Sequence, residues 1–299
     1  MATIEHHGVP EGQVVVERFA EGQPHRGKVL AAVQAHADDI PFFCGGTVAK
    51  LIAEGYEAYL IQTTNDEKCG PTPSIGETVL SNERDVETLA RVLGFKSVFN
   101  LGYRNHRLDG ASPEELRARM IFLFRLLQVD TVFTFNPWGH GEENPDHTIT
   151  GQAVEAACWM AAMDKDYPEH FAAGLKPKRV TQRYYWVARE GQPFNRVVDI
   201  GPWIEQKVAA ISANKSQGPG GSQGSRLRAA LAARGLRLPA LDGSEEDADR
   251  AYIRLFQLDE YRALGEAYGL EYAEAFYYVG DRPSTRIEEY IRAHAVPLE

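Results

Sequence analysis

Strand-like and helix-like segments alternate four times between residues 28 and 163, and no other feature of this 299-residue chain restricts its fold as tightly. The first apolar run, VLAAV, is followed by the polar QAHADD. A run that is apolar at every step, rather than every second step, fits a strand buried on both faces of a parallel sheet. YEAYLIQTT, SVFNLGY and TVFTFNP read as three further strands. Between them lie GGTVAKLIAEG, closed by Gly55, and ETVLSNERDVETLARVLG, amphipathic and closed by Gly94. SPEELRARMIFLFRLLQ opens with Ser112 as N-cap, Pro113 in the first turn and Glu115 at the third position. HTITGQAVEAACWMAAM is the fourth helix. This order predicts an α/β fold, an open and mostly parallel sheet with helices on both faces.

The second half is less regular. QRYYWVAR and NRVVDI read as strands that could form a hairpin, PWIEQKVAAISANKS as a helix from Pro202, and ADRAYIRLFQLDEYRALGEAYG as the clearest of the later helices. GPGGSQGS, residues 218–225, is rich in Gly and Ser and predicts a flexible loop. Residues 1–26 form a polar lead-in, irregular or an edge strand, and 27–299 a single α/β domain with a helical extension from about 202 to 299. The formal charge of −10 repels phosphate backbones, so nucleic acid is not the expected partner. No apolar window reaches the roughly 20 residues of a membrane span, and the lead-in lacks the apolar stretch of a secretory signal. Cys44, Cys69 and Cys158 are odd in number and scattered, which points to a reducing cytoplasm rather than a disulfide framework. The expected partner is a small molecule; association into a homo-oligomer stays open.

In open parallel sheets, ligands bind outside the carboxyl ends of the strands. The polar clusters fall there: His36 to Asp39, Thr64 to Glu67, Tyr103 to His106 and Asn136 to His147. His36 and Asp39, three residues apart in the turn leaving a strand, can point at one cation. Asp38 then sits where a general base for a metal-activated water belongs. His147 would complete two histidines and one carboxylate, leaving an open position as in catalytic zinc sites. The plain alternative is that these are turn residues, and that Asp146 or His147 only caps the following helix.

These segments resemble the PIG-L/LmbE-like zinc deacetylases. H-A-D-D at 36–39 resembles the family's H-P-D-D and is followed by C-G-G-T-V-A; Thr64 to Glu67 resembles T-x-G-E; Arg84, Glu87 and Leu93-Gly94 fit R-x-x-E then L-G. L-G-Y-R-N resembles L-G-Y-x-D, and N-P-D-H at 144–147 resembles H-P-D-H. The resemblance implies a Rossmann-like fold and zinc-dependent removal of acetyl from an N-acetylglucosaminyl compound. It places one divalent ion, zinc or another, on His36, Asp39 and His147, base duty on Asp38, and a substrate contact on Arg84.

Departures from the pattern concern the acid. Asn144 stands where relatives often have a histidine, Asn105 where they often have a substrate-binding aspartate, and Asn214 replaces another histidine. An amide can hold an oxyanion but has no proton to give at neutral pH. His140, in W-G-H-G, is the expected replacement, with His106 second; Asp38 could also pass on the proton it captures. Trp138 could stack on a sugar ring or serve as a buried anchor.

Overall fold

Leu30 and Ala32 point into one apolar cluster and Ala31 and Val33 into another, so a single strand feeds two layers of core. That is the period of two expected when helices cover both faces of a sheet. The computed structural model describes residues 14–70, 72, 74–217, 219–280 and 286–297. Its strands are β1 (Val15–Glu17), β2 (Val29–Gln34), β3 (Glu57–Thr64), β4 (Val98–Tyr103), β5 (Thr131–Phe135), β6 (Gln182–Trp186), β7 (Arg196–Asp199) and β8 (Ala273–Val279). They form one sheet in the order β1-β7-β8-β6-β5-β2-β3-β4. All pairs are parallel except those of β8, which runs antiparallel to both β6 and β7. The helices are α1 (Asp39–Phe43), α2 (Gly45–Ala53), α3 (Ile75–Leu93), α4 (Pro113–Leu127), α5 (Pro145–Met160), α6 (Pro168–Ala172), α7 (Ile204–Ala213), α8 (Gln223–Ala232), α9 (Glu245–Phe256), α10 (Asp259–Ala267) and α11 (Arg286–His294). None among the described residues is long and apolar enough to cross a membrane.

One cluster joins Val48, Leu51, Val86 and Leu89 of α2 and α3 to the sheet; the other joins Leu116, Met120 and Phe124 of α4 and Val154 and Ala157 of α5 to its opposite face. From β2 the chain steps outward to β3 and β4, then returns to place β5 on the other side of β2. The order of strand addition therefore reverses between the parallel neighbours β2 and β5, and the crevice at their carboxyl ends is the natural ligand site of such a sheet. Local signals act as expected here: Ser112 Oγ accepts the Glu115 N–H (3.2 Å) at the start of α4, and Gly94 ends α3 with φ 87°.

Four expectations are corrected. QRYYW and RVVD are strands but not a hairpin, because β8 lies between them. The segment after residue 202 is therefore not wholly helical. The long helix of 248–269 is broken at Leu258 into α9 and α10. Residues 219–222 form turns, and Gln223–Ser225 open α8 rather than continuing a loop; Gly218 lies outside the described residues. Gly224 is buried, and a Cβ on it would lie 1.9 Å from the Ala248 carbonyl oxygen. That glycine serves close contact between α8 and α9, not mobility.

Glu274, on β8, anchors the loop after β2. Its carboxylate accepts the N–H groups of Gly46 (3.1 Å) and Thr47 (2.8 Å) at the start of α2, and Lys207 Nζ of α7 (2.7 Å). Lys207 Nζ also donates to the carbonyls of Pro41 (3.2 Å) and Phe42 (2.6 Å), closing the end of α1. Lys207 is 0% and Glu274 1% exposed, so removing one partner would strand a buried charge at a cost of about 3–5 kcal/mol.

Candidate active site

Beyond Gln34 the chain turns tightly into α1. Asp39 Oδ2 accepts the N–H groups of Ala35 (2.9 Å) and His36 (2.7 Å), which closes the turn and leaves Oδ1 facing His147 Nε2 at 3.5 Å. His147 sits in the first turn of α5, its ring stacked on Phe135 with centroids 3.9 Å apart. Its Nε2 lies 3.0 Å from His36 Nδ1. Two imidazole nitrogens at that distance repel through their lone pairs unless a proton or cation lies between them. His36, Asp39 and His147 each offer a ligand atom, all within 4.8 Å of one another and all buried. Tetrahedral zinc with Zn–N near 2.0–2.1 Å needs ligand atoms about 3.3 Å apart, so the 3.0 and 3.5 Å spacings fit a divalent ion of this kind.

Carboxylates stand behind both histidines. His36 Nε2 lies 3.1 Å from Asp146 Oδ2, which fixes the tautomer with Nδ1 bare toward the cluster. His147 Nδ1 approaches Glu142 Oε1 at 3.1 Å, an ion-pair contact without the alignment of a hydrogen bond. Asp146 is fully buried and also accepts the N–H groups of His106 (2.6 Å) and Leu108 (3.1 Å). Burial would raise its pKa, but His36 and the two backbone donors outweigh that and hold it below the usual carboxylate range. At His36, burial works against the charged form. The Asp146 bond and the charges of Asp39, Asp66 and Asp38 prevail and lift it to about 9. An environment that favours a proton so strongly favours a cation in its place. Asp38, half-buried, is pushed up to about 6 by burial and then by Asp39, into the range where a general base works near neutral pH.

A cavity of about 410 Å³ opens over these groups; His36, Asp38, Asp39, His106, Asn144 and His147 lie on its wall. His106 is held with φ 55°, a left-handed conformation uncommon outside glycine, and its ring stands edge-on to His36 at 6.0 Å. The other candidates are placed elsewhere. His140 is exposed and does not line the cavity; its carbonyl accepts from Gln192. Trp138 is 64% exposed and edge-on to Tyr185, which makes it neither a buried anchor nor a cavity wall. Arg84 lies on the exposed face of α3, away from the cavity. Asn105 is buried, its amide 3.4 Å from Asp66 Oδ1 and not on the cavity wall. Asn144 lines the cavity, while its Oδ1 caps α5 by accepting the Asp146 N–H (3.0 Å).

Sequence reasoning passed over Asp66, Asp146 and Glu142. Asp66 Oδ2 accepts the Ala37 N–H (2.7 Å) and Gln62 Nε2 (3.1 Å), so it props the ligand-bearing turn from β3; burial raises its pKa to about 8. Only Asp146 left a trace in sequence, as the carboxylate beside a helix start.

Residues 31–158 match the PIG-L family, described as GlcNAc-PI de-N-acetylase. The chain is 26% identical over 196 residues to the diacetylchitobiose deacetylase of Thermococcus kodakarensis, covering 64% of this chain and 71% of that protein. It is 25% identical over 213 residues to the 1D-myo-inositol 2-acetamido-2-deoxy-alpha-D-glucopyranoside deacetylase of Rhodococcus erythropolis, covering 62% of this chain and 66% of that relative. The chain thus spans about two thirds of these relatives' lengths. Its fold matches that of the N,N'-diacetylchitobiose deacetylase of Pyrococcus horikoshii with a TM-score of 0.66 at 22% identity, over 90% of this chain and 87% of the other, a likeness of architecture.

Proposed function

We propose that the chain is a PIG-L/LmbE-like deacetylase that hydrolyses the N-acetyl amide of an N-acetylglucosaminyl-type sugar or conjugate, with one zinc ion held by His36, Asp39 and His147, a reading supported by the match of residues 31–158 and by the deacetylase relatives. The observation that carries this reading is the convergence of three ligand atoms under a cavity whose wall also bears Asp38. Zinc at that position would supply Lewis acidity toward the amide carbonyl and make a nearby water easier to deprotonate.

The chain's own groups divide the remaining work. Asp38 takes the proton of the attacking water. Asn144, with its oxygen engaged in the cap, keeps its Nδ2 donor for the developing oxyanion. His106, on the cavity wall, gives the proton that the departing amine needs, a task that His140 is not placed to perform. Asp146 and Glu142 orient the two ligand histidines. A cytoplasmic location, where the unpaired Cys44, Cys69 and Cys158 stay reduced, belongs to the same proposal.

The test combines metal analysis with acetate release from a panel of N-acetyl sugars and other small amides. Asp38→Asn should keep its metal and lose roughly 100-fold or more in turnover. Normal turnover by that variant, or acetate from no member of the panel, overturns the reading.

A further inference from the structure

The cavity over the metal ligands does not end at its own wall. Phe42, Phe43, Ala188, Arg189, Glu260 and Tyr261 also border a second cavity of about 480 Å³. Its remaining lining includes Val187, Phe194, Leu264, Ala273 and Ala275. The two spaces are therefore neighbours across one shared partition, to which α10 contributes Glu260 and Tyr261.

Three polar side chains at this second space, Tyr261, Glu274 and Arg189, are committed inside the protein. Tyr261 Oη donates to the Phe42 carbonyl (2.7 Å), and Glu274 holds Lys207 and the start of α2. Arg189 donates to Glu142 (2.9 Å) and to the Ala188 carbonyl (2.9 Å). Phe42, Phe43, Phe194 and Leu264 contribute apolar surface, while Glu190 and Glu260 stand exposed at the rim. Two carboxylates there disfavour an anionic occupant.

We propose that this second cavity seats an uncharged, apolar aglycone, aryl or alkyl, of the acetamido sugar whose N-acetyl group lies over His36, Asp39 and His147. The inference rests on the deacetylase reading for the identity of the sugar, and on the shared partition for the seat. Selectivity then comes from Phe194 and Leu264, far in sequence from His36 and Asp39, and falls on affinity rather than on the chemical step.

The experiment measures binding of methyl and benzyl 2-acetamido-2-deoxyglucopyranosides, in both anomeric forms, to the zinc-loaded protein by calorimetry, with acetate release followed in parallel. The benzyl glycoside of the better-bound anomer should bind at least about tenfold more tightly than the methyl, the scale of burying one ring. Leu264→Glu should collapse that ratio to near one, and Leu264→Met, which keeps volume, should retain it. Hydrogen exchange on the unmodified protein gives a reading independent of any variant: the benzyl glycoside alone should slow exchange in Asp259–Ala267 and around Phe194. Equal affinities for the two glycosides, a preference that survives Leu264→Glu, or no added protection there each overturn the proposal. A benzyl preference without acetate from either glycoside leaves the seat standing and removes the deacetylase reading. Acetate from both glycosides at equal affinity does the reverse.

Discussion

Replacing Asp146 with Asn tests the second carboxylate layer directly. The native carboxylate takes three donors: His36 Nε2 (3.1 Å) and the His106 N–H (2.6 Å) on Oδ2, and the Leu108 N–H (3.1 Å) on Oδ1. An amide offers one oxygen. Turned toward His36, it sets its NH2 against the Leu108 N–H and leaves two donors facing each other in a fully buried site. A stranded buried donor costs about 1–3 kcal/mol, and the surviving bonds lose the strength that charge gave them. Stability of the metal-free protein should therefore fall by roughly 2–4 kcal/mol. Metal affinity should fall separately, by about 10–100-fold, because His36 loses the acceptor that fixes its tautomer. Chelator competition gives the affinity, and urea unfolding of the metal-free forms gives the stability. If the variant loses stability yet binds metal within twofold of the native protein, Asp146 is a strut for the loop at 106–108 and has no part in orienting His36.

Three shorter predictions accompany it. His106→Gln should lower kcat by roughly 100-fold or more and remove the alkaline limb of the pH–rate profile, while His140→Ala stays within about twofold of native; the reverse pattern would return the acid to His140. Gly224→Val should destabilise by more than about 3 kcal/mol in urea unfolding, since even a Cβ would sit 1.9 Å from the Ala248 oxygen; a neutral result would deny the tight α8–α9 contact. Glu17 is paired with Lys50 (2.9 Å) and Arg196 (2.7 Å); burial would raise its pKa, but these cations hold it below 4.5. A depressed folded-state pKa adds stability that is present above about pH 4.5 and is lost as pH falls through the folded value. Glu17→Gln should therefore cost more stability at about pH 7 than at about pH 3, and equal losses at both would sink the assignment.

The parallel half of the fold was legible because its signals are local: VLAAV between polar turns, a Ser112 cap, a Gly94 stop. β8 was not, because nothing in AEAFYYV states that the strand enters antiparallel between two others that are adjacent in sequence. The cluster of His36, Asp39 and His147 that could hold a metal ion was legible for the same local reason, as His36 and Asp39 share one turn and His147 opens one helix. Asp146 was read as no more than a helix-start residue, since a cap and a buried acceptor use the same residue type at the same position. Where His140 and His106 stand relative to the cavity depended on backbone direction. Both follow strands in polar loops, but the left-handed turn at His106 puts its ring on the cavity wall, and His140 is left facing water.

Glu274 accepts from Gly46 across 228 residues of sequence, and that separation governs when the site can first exist during synthesis. All three candidate ligands, His36, Asp39 and His147, have left the ribosome once His147 has emerged. The floor beneath α1 and α2 is still missing, because the carboxylate that anchors Gly46, Thr47 and Lys207 belongs to β8, the last strand made among the described residues. At ordinary elongation rates the ligands wait on the order of ten seconds for it. A ribosome-stalled chain ending before Ala273 would carry every ligand and yet hold Lys207 without its counter-charge. Completion of the chain thereby supplies the last anchor of the segment that follows His36 and Asp39.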